Sequence, residues 1–183
     1  MQNQRQDKFR LLSISKLSDG QLEKCADLYC QIWKEPPWNE DFWTVWGTLE
    51  SIREDMSKNI ARGFVVLSAT GEVIGFTWGY GVSIGDMREI SGNNGLDHVF
   101  RQYKKIFYIA ELGVSSYYRG YGLGKRLTKR LIASAKFYGV QAILLRTDIR
   151  AIPARRLYDL LGFIEMSVTD GQHETRTYWL LIL

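Results

Sequence analysis

A chain of 183 residues with 45% hydrophobic side chains is long enough to fold as one domain around a substantial core. Its formal net charge of +4 is a small surplus, which gives little support to nucleic-acid binding. No apolar run reaches the ~18 residues of a membrane helix, and residues 1–8 are polar, so neither a membrane anchor nor a secretory signal is predicted.

Cysteine and histidine are scarce. Cys25 and Cys30 are the only cysteines, and on a helix five residues of separation would direct them to different faces, so no disulfide is predicted. His98 and His173 are the only histidines, and they form no metal-ligand pattern. We expect a reduced, cytoplasmic protein without a metal, in which residues 1–183 form a single domain.

The first third of the chain predicts a strand and two helices. Apolar and polar residues alternate over residues 9–17, which is typical of a strand. Ser18 has the capping-box spacing to Gln21 and predicts a helix that ends before Pro36. An apolar stripe predicts the second helix over residues 44–60.

A hairpin with strands at residues 63–68 and 72–80 is predicted next. Residues 81–105 give no clear pattern, and their centre at 91–95 is typical of a loop. The remaining predicted elements are strand 106–114, helix 122–138, strand 141–147, helix 152–161, strand 163–169 and strand 175–182. The pattern alone indicates an α+β or α/β fold with a mixed sheet.

Residues 119–125, Arg-Gly-Tyr-Gly-Leu-Gly-Lys, stand between a predicted strand and a predicted helix. A glycine-rich turn at a helix start exposes backbone N–H groups and the positive end of the helix dipole, which together bind phosphate. The spacing excludes a dinucleotide fingerprint, whose third glycine would fall on Lys125. It also excludes a Walker A loop, since Arg119 and Arg126 occupy two of that motif's required positions.

The pattern Arg-x-x-Gly-x-Gly, formed by Arg119, Gly122 and Gly124, resembles the acetyl-coenzyme A pyrophosphate loop of the GCN5-related N-acetyltransferase (GNAT) family. Two further segments share the resemblance. Residues 111–114 are similar to the end of the family's fourth strand, and residues 154–163 to its later helix with a Leu-Tyr…Leu-Gly-Phe ending.

The resemblance implies an α/β (α+β) GNAT fold, with a mixed sheet that splays between strands 4 and 5 and is flanked by helices. It also implies acetyl-coenzyme A as the cofactor, held by the main chain of the fourth strand, by the glycine loop and by the later helix. The implied contacts are Leu112, Gly113, Val114, Arg119, Gly120, Tyr121, Gly122, Leu123, Gly124, Lys125, Ala154 and Tyr158. Gly113 would let the thioester approach, or it marks a β-bulge.

The resemblance gives Tyr158 the role of the acid that protonates the leaving thiolate, which we favour over the alternative of a core aromatic residue. Glu111 is a carboxylate in an apolar strand and is either the general base or a buried structural partner of a basic side chain. Two departures from the family pattern are Arg146, where some members have a glutamate, and Ala151, where many have an asparagine. Asp148 is a candidate substitute base or amine-binding acid.

The acceptor is expected to enter over the segment between the first two helices. Trp38 and Glu40 in this segment, together with Asp148, are the predicted substrate-binding residues, because aromatic faces and carboxylates attract an ammonium group. The tryptophans of this segment could instead join the two helices. Aminoglycosides, polyamines, amino acids and protein N-termini all remain open as acceptors.

The leading hypothesis is an acetyl-coenzyme A-dependent N-acetyltransferase acting on a primary amine of a small molecule, without a nucleic-acid or membrane partner. One alternative is a coenzyme A-binding regulatory or interaction module without catalysis. Others are a protein N-terminal or lysine acetyltransferase, and a nucleic-acid-binding domain that uses the basic residues 125–130. A homodimer is also left open.

Overall fold

A seven-stranded mixed sheet organises residues 9–183, which are the residues that the computed structural model describes. Residues 1–8, where the sequence predicts no secretory signal, lie outside the described part. The strands are β1 (Arg10–Ser13), β2 (Arg62–Leu67), β3 (Val73–Val82), β4 (Ile106–Val114), β5 (Ala142–Asp148), β6 (Ile164–Thr169) and β7 (Arg176–Ile182). Their order in the sheet is β1-β2-β3-β4-β5-β7-β6.

Six α-helices cover the described sheet: α1 (Asp19–Trp33), α2 (Val45–Ser57), α3 (Ile84–Ser91), α4 (Asp97–Gln102), α5 (Leu123–Phe137) and α6 (Ile152–Leu160). Short 3-10 helices occupy Ile14–Lys16 and Ser116–Tyr118. The predicted mixed α/β fold is therefore confirmed.

The β4–β5 pair is parallel, and it is paired over only part of its length. The register runs from Ile106 opposite Ala142 to Ile109 opposite Leu145. Beyond Ile109, β4 continues to Val114 with no partner on β5. The predicted splay between these two strands is thus present, and it leaves one main-chain edge of β4 open.

A β-bulge interrupts the pairing of β4 with β3. Trp78 lies opposite Glu111 and Gly79 lies opposite Ile109, so that Ala110 has no partner. Side chains alternate between the faces of a strand, and an extra residue reverses that alternation downstream. Glu111 therefore shares a face with Trp78, and its carboxylate accepts a hydrogen bond from Tyr29 of α1.

The two faces of the sheet are packed differently. On one face a single core includes Leu127 and Leu131 of α5, Tyr158 of α6 and the inward residues of the central strands. The opposite face carries two adjacent clusters. One is formed by α1, α2 and strands β2–β3, and the other by α3, α4 and strands β3, β4, β5 and β7.

Residues 81–105, which give no clear sequence pattern, contain the end of β3 and both α3 and α4. A capping box starts α3: the Ser83 hydroxyl accepts from the Asp86 N–H at 3.2 Å, and Asp86 Oδ2 accepts from the Ser83 N–H at 2.7 Å. Gly92 ends α3 with a φ of 66°. The loop predicted at 91–95 is therefore correct apart from Ser91, which belongs to the helix.

The predicted first strand, residues 9–17, is too long. Pairing with β2 ends at Ser13, because the chain turns into a 3-10 helix that buries Ile14. The capping box at Ser18 is confirmed, with Gln21 as its other member.

Cys25 and Cys30 are both buried, and no disulfide joins them. Residues 9–183 contain no helix that is both long and apolar enough to span a bilayer. Over the same residues there is no group of three or more histidine, cysteine, aspartate and glutamate side chains arranged to hold a metal ion.

Gly79→Ala should destabilise the protein by about 2 kcal/mol or more, because the bulge brings the backbone of β4 against this position. A Cβ at Gly79 would lie 2.2 Å from the Tyr108 carbonyl oxygen. The matched control is Gly20→Ala in α1, where a Cβ would meet no atom of residues 9–183 within 4 Å and should stabilise the helix by up to ~1 kcal/mol. Urea unfolding of both variants checks this, and equal midpoints would contradict the bulge geometry.

Candidate active site

The glycine loop lies at the start of α5 and presents a row of backbone N–H donors. Arg126 is the first residue of this segment whose N–H reaches back along the helix, to the Gly122 carbonyl at 3.0 Å. The N–H groups from Gly120 to Lys125 have no acceptor among residues 9–183. Converging N–H groups at a helix N-terminus attract an anion, so this segment fits a pyrophosphate.

Glycine is needed at the three loop positions for different physical reasons. Gly120 and Gly122 have φ values of 82° and 77°, a left-handed conformation that other residues adopt only with strain, and among residues 9–183 neither has a neighbour within 4 Å of a Cβ. Gly124 lies inside α5, and a Cβ there would lie 3.3 Å from the Leu157 side chain of α6. Two of the glycines shape the turn, and the third lets α6 pack against α5.

The Arg119 side chain contacts the protein. Its Nε donates to the Val114 carbonyl at 3.1 Å, and its Nη2 forms an ion pair with Glu35. Glu35 belongs to the α1–α2 loop, which comprises residues 34–44. Arg119 therefore joins the glycine loop to the end of β4 and to the α1–α2 loop.

The end of β4, where this strand has no partner on β5, consists of Leu112, Gly113 and Val114. Leu112 and Val114 pack on the α5 face, where α6 also contributes the partly buried Ala154. A Cβ on Gly113 would lie 2.5 Å from the Phe76 ring, so packing against Phe76 requires this glycine. The β-bulge lies at Ala110, three residues before the glycine that the sequence suggested.

Tyr158 is buried between aromatic neighbours, with ring centroids 5.8 Å from Phe163 and 6.1 Å from Trp179. Its phenol has no side-chain hydrogen-bond partner among residues 9–183. Burial, followed by the nearby charge of Glu111, raises the pKa of Tyr158 above its ordinary value, so it remains protonated at neutral pH. Tyr158 is thus a core aromatic residue whose phenol carries its proton at neutral pH.

Glu111 accepts a 3.3 Å hydrogen bond from the Tyr29 hydroxyl, and no ion pair joins it to a basic side chain within residues 9–183. Burial, reinforced by the negative charge of Asp55, raises its pKa to about 8. Glu111 is shielded by protein but still partly accessible, because it opens into a cavity. The buried ion pair considered from the sequence is not found in the part of the chain that the structure describes.

The cavity lies between the two clusters on the α1–α4 face of the sheet and has a volume of about 220 Å³. Its aromatic walls come from α1, the α1–α2 loop and the central strands. The aromatic lining residues are Tyr29, Trp33, Trp38, Trp43, Tyr80 and Tyr108. Its charged lining residues are Glu40, Asp55, Glu111, Arg146 and Arg176.

The α1–α2 loop is held over this cavity by an arginine of β7 and by contacts within the loop. Glu40 accepts from Arg176 of β7 at 2.7 Å and from the Trp43 indole at 2.7 Å. Trp38 packs on Trp33 with centroids 4.6 Å apart, and the Arg176 guanidinium lies 5.7 Å from the Trp38 ring. The loop tryptophans therefore join the helices and line the cavity at the same time.

Asp148 does not line this cavity and is fully engaged. It accepts two hydrogen bonds from the Arg150 guanidinium, at 2.8 and 2.7 Å, and one from Thr175 at 2.7 Å. The Arg150 hydrogen bonds are the main cause of a pKa far below the usual aspartate value. Arg150 in turn reaches the Pro37 carbonyl at 3.3 Å, so Asp148 positions an arginine that contacts the α1–α2 loop.

Several cavity residues were not predicted from the sequence, namely Tyr29, Asp55, Tyr80, Tyr108 and Arg176. They lie on separate helices and strands, and each fits its local apolar or amphipathic pattern. None of these five gave a local signal like that of Glu111, which is a carboxylate inside an apolar strand. Arg176 and Asp55 have ordinary positions in sequence and become distinctive only through the fold.

The sequence model of the acetyltransferase (GNAT) family matches residues 22–163. N-acetylaspartate synthetase from Rattus norvegicus is 32% identical over 62 residues, which are 34% of this chain and 21% of that protein. Among solved structures, the NatC complex bound to Gag peptide and coenzyme A aligns with a TM-score of 0.69 and 17% identity over 96% of this chain and 99% of the other. PaiA N-acetyltransferase from Thermoplasma acidophilum, in complex with coenzyme A, aligns with a TM-score of 0.68 and 15% identity over the same shares.

The family model covers most of the chain, and this chain belongs to the GNAT family of acetyltransferases. The solved structures share its fold at low sequence identity. The chain spans well under a third of the length of the rat relative that it matches.

Proposed function

We propose that this protein transfers the acetyl group of acetyl-coenzyme A to the primary amine of a small molecule. The observation that carries the proposal is Glu111, a carboxylate with no ion-pair partner in residues 9–183, facing an aromatic cavity beside the open edge of β4. Coenzyme A in the NatC and PaiA structures supports the choice of cofactor.

The coenzyme would be held by main-chain groups at two places. Within residues 9–183 the N–H groups from Gly120 to Lys125 have no acceptor and would donate hydrogen bonds to the pyrophosphate, and the open edge at residues 112–114 would pair with the pantetheine arm. Ala154 and Tyr158 of α6 complete the contacts. When bound, the coenzyme supplies an acetyl group activated as a thioester.

Glu111 acts on the acceptor. A primary amine arrives as an ammonium ion and must lose a proton before its nitrogen can bond to the acetyl carbon. With a pKa of about 8, Glu111 is basic enough to take this proton and is ionised in a useful fraction of molecules near neutral pH. Hydrogen bonding to Tyr29 directs its carboxylate toward the cavity.

Tyr158 acts on the leaving group. Transfer replaces a carbon–sulfur bond by a carbon–nitrogen bond, and the departing sulfur needs a proton. The protonated phenol of Tyr158 can supply it. Much of the rate would come from holding the amine and the thioester together, because correct positioning alone can accelerate a reaction strongly.

The closed α1–α2 loop favours a small acceptor over a protein chain. The Glu40–Arg176 ion pair and the Arg150 contact with Pro37 hold this loop against β5 and β7, where an extended peptide would need an open groove. The rat relative carries the name of an enzyme that makes an acetylated amino acid, which supports amino acids among the acceptors. Trp38 serves as an aromatic wall, whereas Glu40 and Asp148 position the loop.

Release of coenzyme A in the presence of a panel of small amines and peptides tests this function. We expect release with at least one small amine and none with peptides. A protein that binds coenzyme A but acetylates no amine would instead be a regulatory module. Preferred acetylation of peptides would replace the small-molecule function by protein acetylation.

Gly122→Asp should weaken coenzyme A binding by about 100-fold or more, because it places a negative charge among the donors intended for phosphate. Gly139→Asp is the matched control, since Gly139 has a φ of 72° at the opposite end of α5 and undergoes comparable backbone strain. Isothermal calorimetry on folded proteins should show the loss in the first variant alone. Equal affinities of the two variants for coenzyme A would show that the glycine loop does not bind the coenzyme.

Tyr158→Phe should lower the turnover number by about 100-fold, within the range for loss of a general acid, and leave coenzyme affinity near normal. The ring packing against Phe163 and Trp179 is retained, so the melting temperature should change little. Steady-state kinetics with a good acceptor give the measurement. An unchanged turnover number would restrict Tyr158 to a packing role.

The wild-type rate should have an acidic limb with a midpoint near pH 8, and Glu111→Gln should abolish it. It should also change stability in a defined direction. Because the folded pKa of about 8 lies above the usual 4.5, wild-type stability decreases as pH rises between these values, and Gln avoids that loss. Above pH 8 the variant should therefore be the more stable protein. A less stable variant with the limb intact would make Glu111 a structural residue.

A further inference from the structure

Two arginines enter the cavity from neighbouring strands. Arg146 of β5 lies opposite Tyr178 of β7, and Arg176 is two residues from Tyr178 along the same strand, so both arginines share one face of the sheet. Diagonal neighbours in such a pair are ~7–8 Å apart at Cα, within reach of one ligand group for side chains of this length. The cavity thus has a guanidinium pair at its β5–β7 side.

Each guanidinium is held by the protein through one nitrogen and has donors left over. Arg146 donates from Nη1 to Asp170 at 2.6 Å and to the Ile90 carbonyl at 2.9 Å. Arg176 donates from Nη2 to Glu40 at 2.7 Å. Within residues 9–183 no other nitrogen of the two guanidiniums has a hydrogen-bond partner. These fixed planar donors suit a carboxylate.

The charges around the cavity are matched in pairs with one exception. Arg146 pairs with Asp170, Arg176 with Glu40, and Asp55 with Lys58 at 2.7 Å. Glu111 is the cavity carboxylate that has no such partner within the described residues. A ligand that brings one amine to Glu111 and one carboxylate to the arginines preserves this balance, whereas a polyamine or aminoglycoside brings surplus positive charge toward two arginines.

The rest of the cavity wall is aromatic, with rings from α1, the α1–α2 loop, β3 and β4. Such a wall fits an apolar or aromatic side chain better than a charged one. We propose that the acceptor is an α-amino acid, with its amine at Glu111 and its carboxylate between Arg146 and Arg176. This inference rests on the proposed function and selects among the acceptors that the function allows.

A set of matched acceptors tests the inference on the wild-type protein. Phenylalanine, phenylalaninamide and phenethylamine share one ring and one amine, and phenylalanine alone carries a carboxylate. We expect kcat/KM for coenzyme A release to be about 10- to 100-fold higher with phenylalanine, chiefly through KM, from two charge-assisted hydrogen bonds. Spermidine should be a poorer acceptor than phenylalanine.

Arg176→Gln should reduce the preference for phenylalanine over phenethylamine toward unity and leave coenzyme A affinity unchanged. Arg156→Gln is the matched control, because Arg156 is exposed on α6 and its loss should leave the preference intact. A preference that survives in Arg176→Gln at full size would overturn the assignment of the carboxylate site.

Equal or better acetylation of phenethylamine or spermidine would overturn the inference and leave the proposed function standing. Failure of every amine as an acceptor, with coenzyme A still bound, would contradict the proposed function. Calorimetric titration of phenylalanine and phenethylamine into the coenzyme A complex decides the inference without turnover, since only the amino acid should bind measurably. Equal binding of the two would count against it.

Discussion

The extra residue in β4 determines how the rest of the site is arranged. Because Ala110 has no partner on β3, the alternation of side chains is reversed and Glu111 faces α1 and the cavity. Without the bulge, Glu111 would face the apolar core under α5, and Leu112 would face the cavity. Gly79 makes the bulge sterically feasible, since any side chain there would meet the Tyr108 carbonyl. The position of the proposed base is therefore a property of the pairing of two strands.

Burial raises the pKa of Glu111, and the ion pairs around the cavity preserve this shift. Arg146 and Arg176 act to lower the pKa of Glu111, but burial outweighs them, and each arginine is matched to another acid. Although burial favours the neutral form of Asp170, hydrogen bonds from Tyr178 and Arg146 keep its pKa below the usual value, so it remains a counter-ion. The cavity can thus hold a basic carboxylate beside two guanidiniums without the arginines neutralising it.

The sequence predicted most of the strands and helices because their periodicity or capping is local. The glycine turn, the capping box at Ser18 and the strand ending at Val114 were all readable in this way. Three features depend on long-range pairing and could not be predicted: the bulge at Ala110, the hydrogen bond between Thr175 and Asp148, and the guanidinium pair in the cavity. The short helix α3 was missed although its Ser83–Asp86 capping box was a local signal.

The α1–α2 loop is attached on both sides of the gap between β4 and β5. Arg119 ties it to the end of β4 through Glu35, while Arg176 and Arg150 tie it to the strands beyond the gap. Any ligand that changes the width of this gap must move the two sets of anchors relative to each other, and with them the aromatic wall that the loop provides. Coupling between two binding sites is reciprocal. If one ligand spends free energy on that movement, the affinity of the other ligand changes by the same amount.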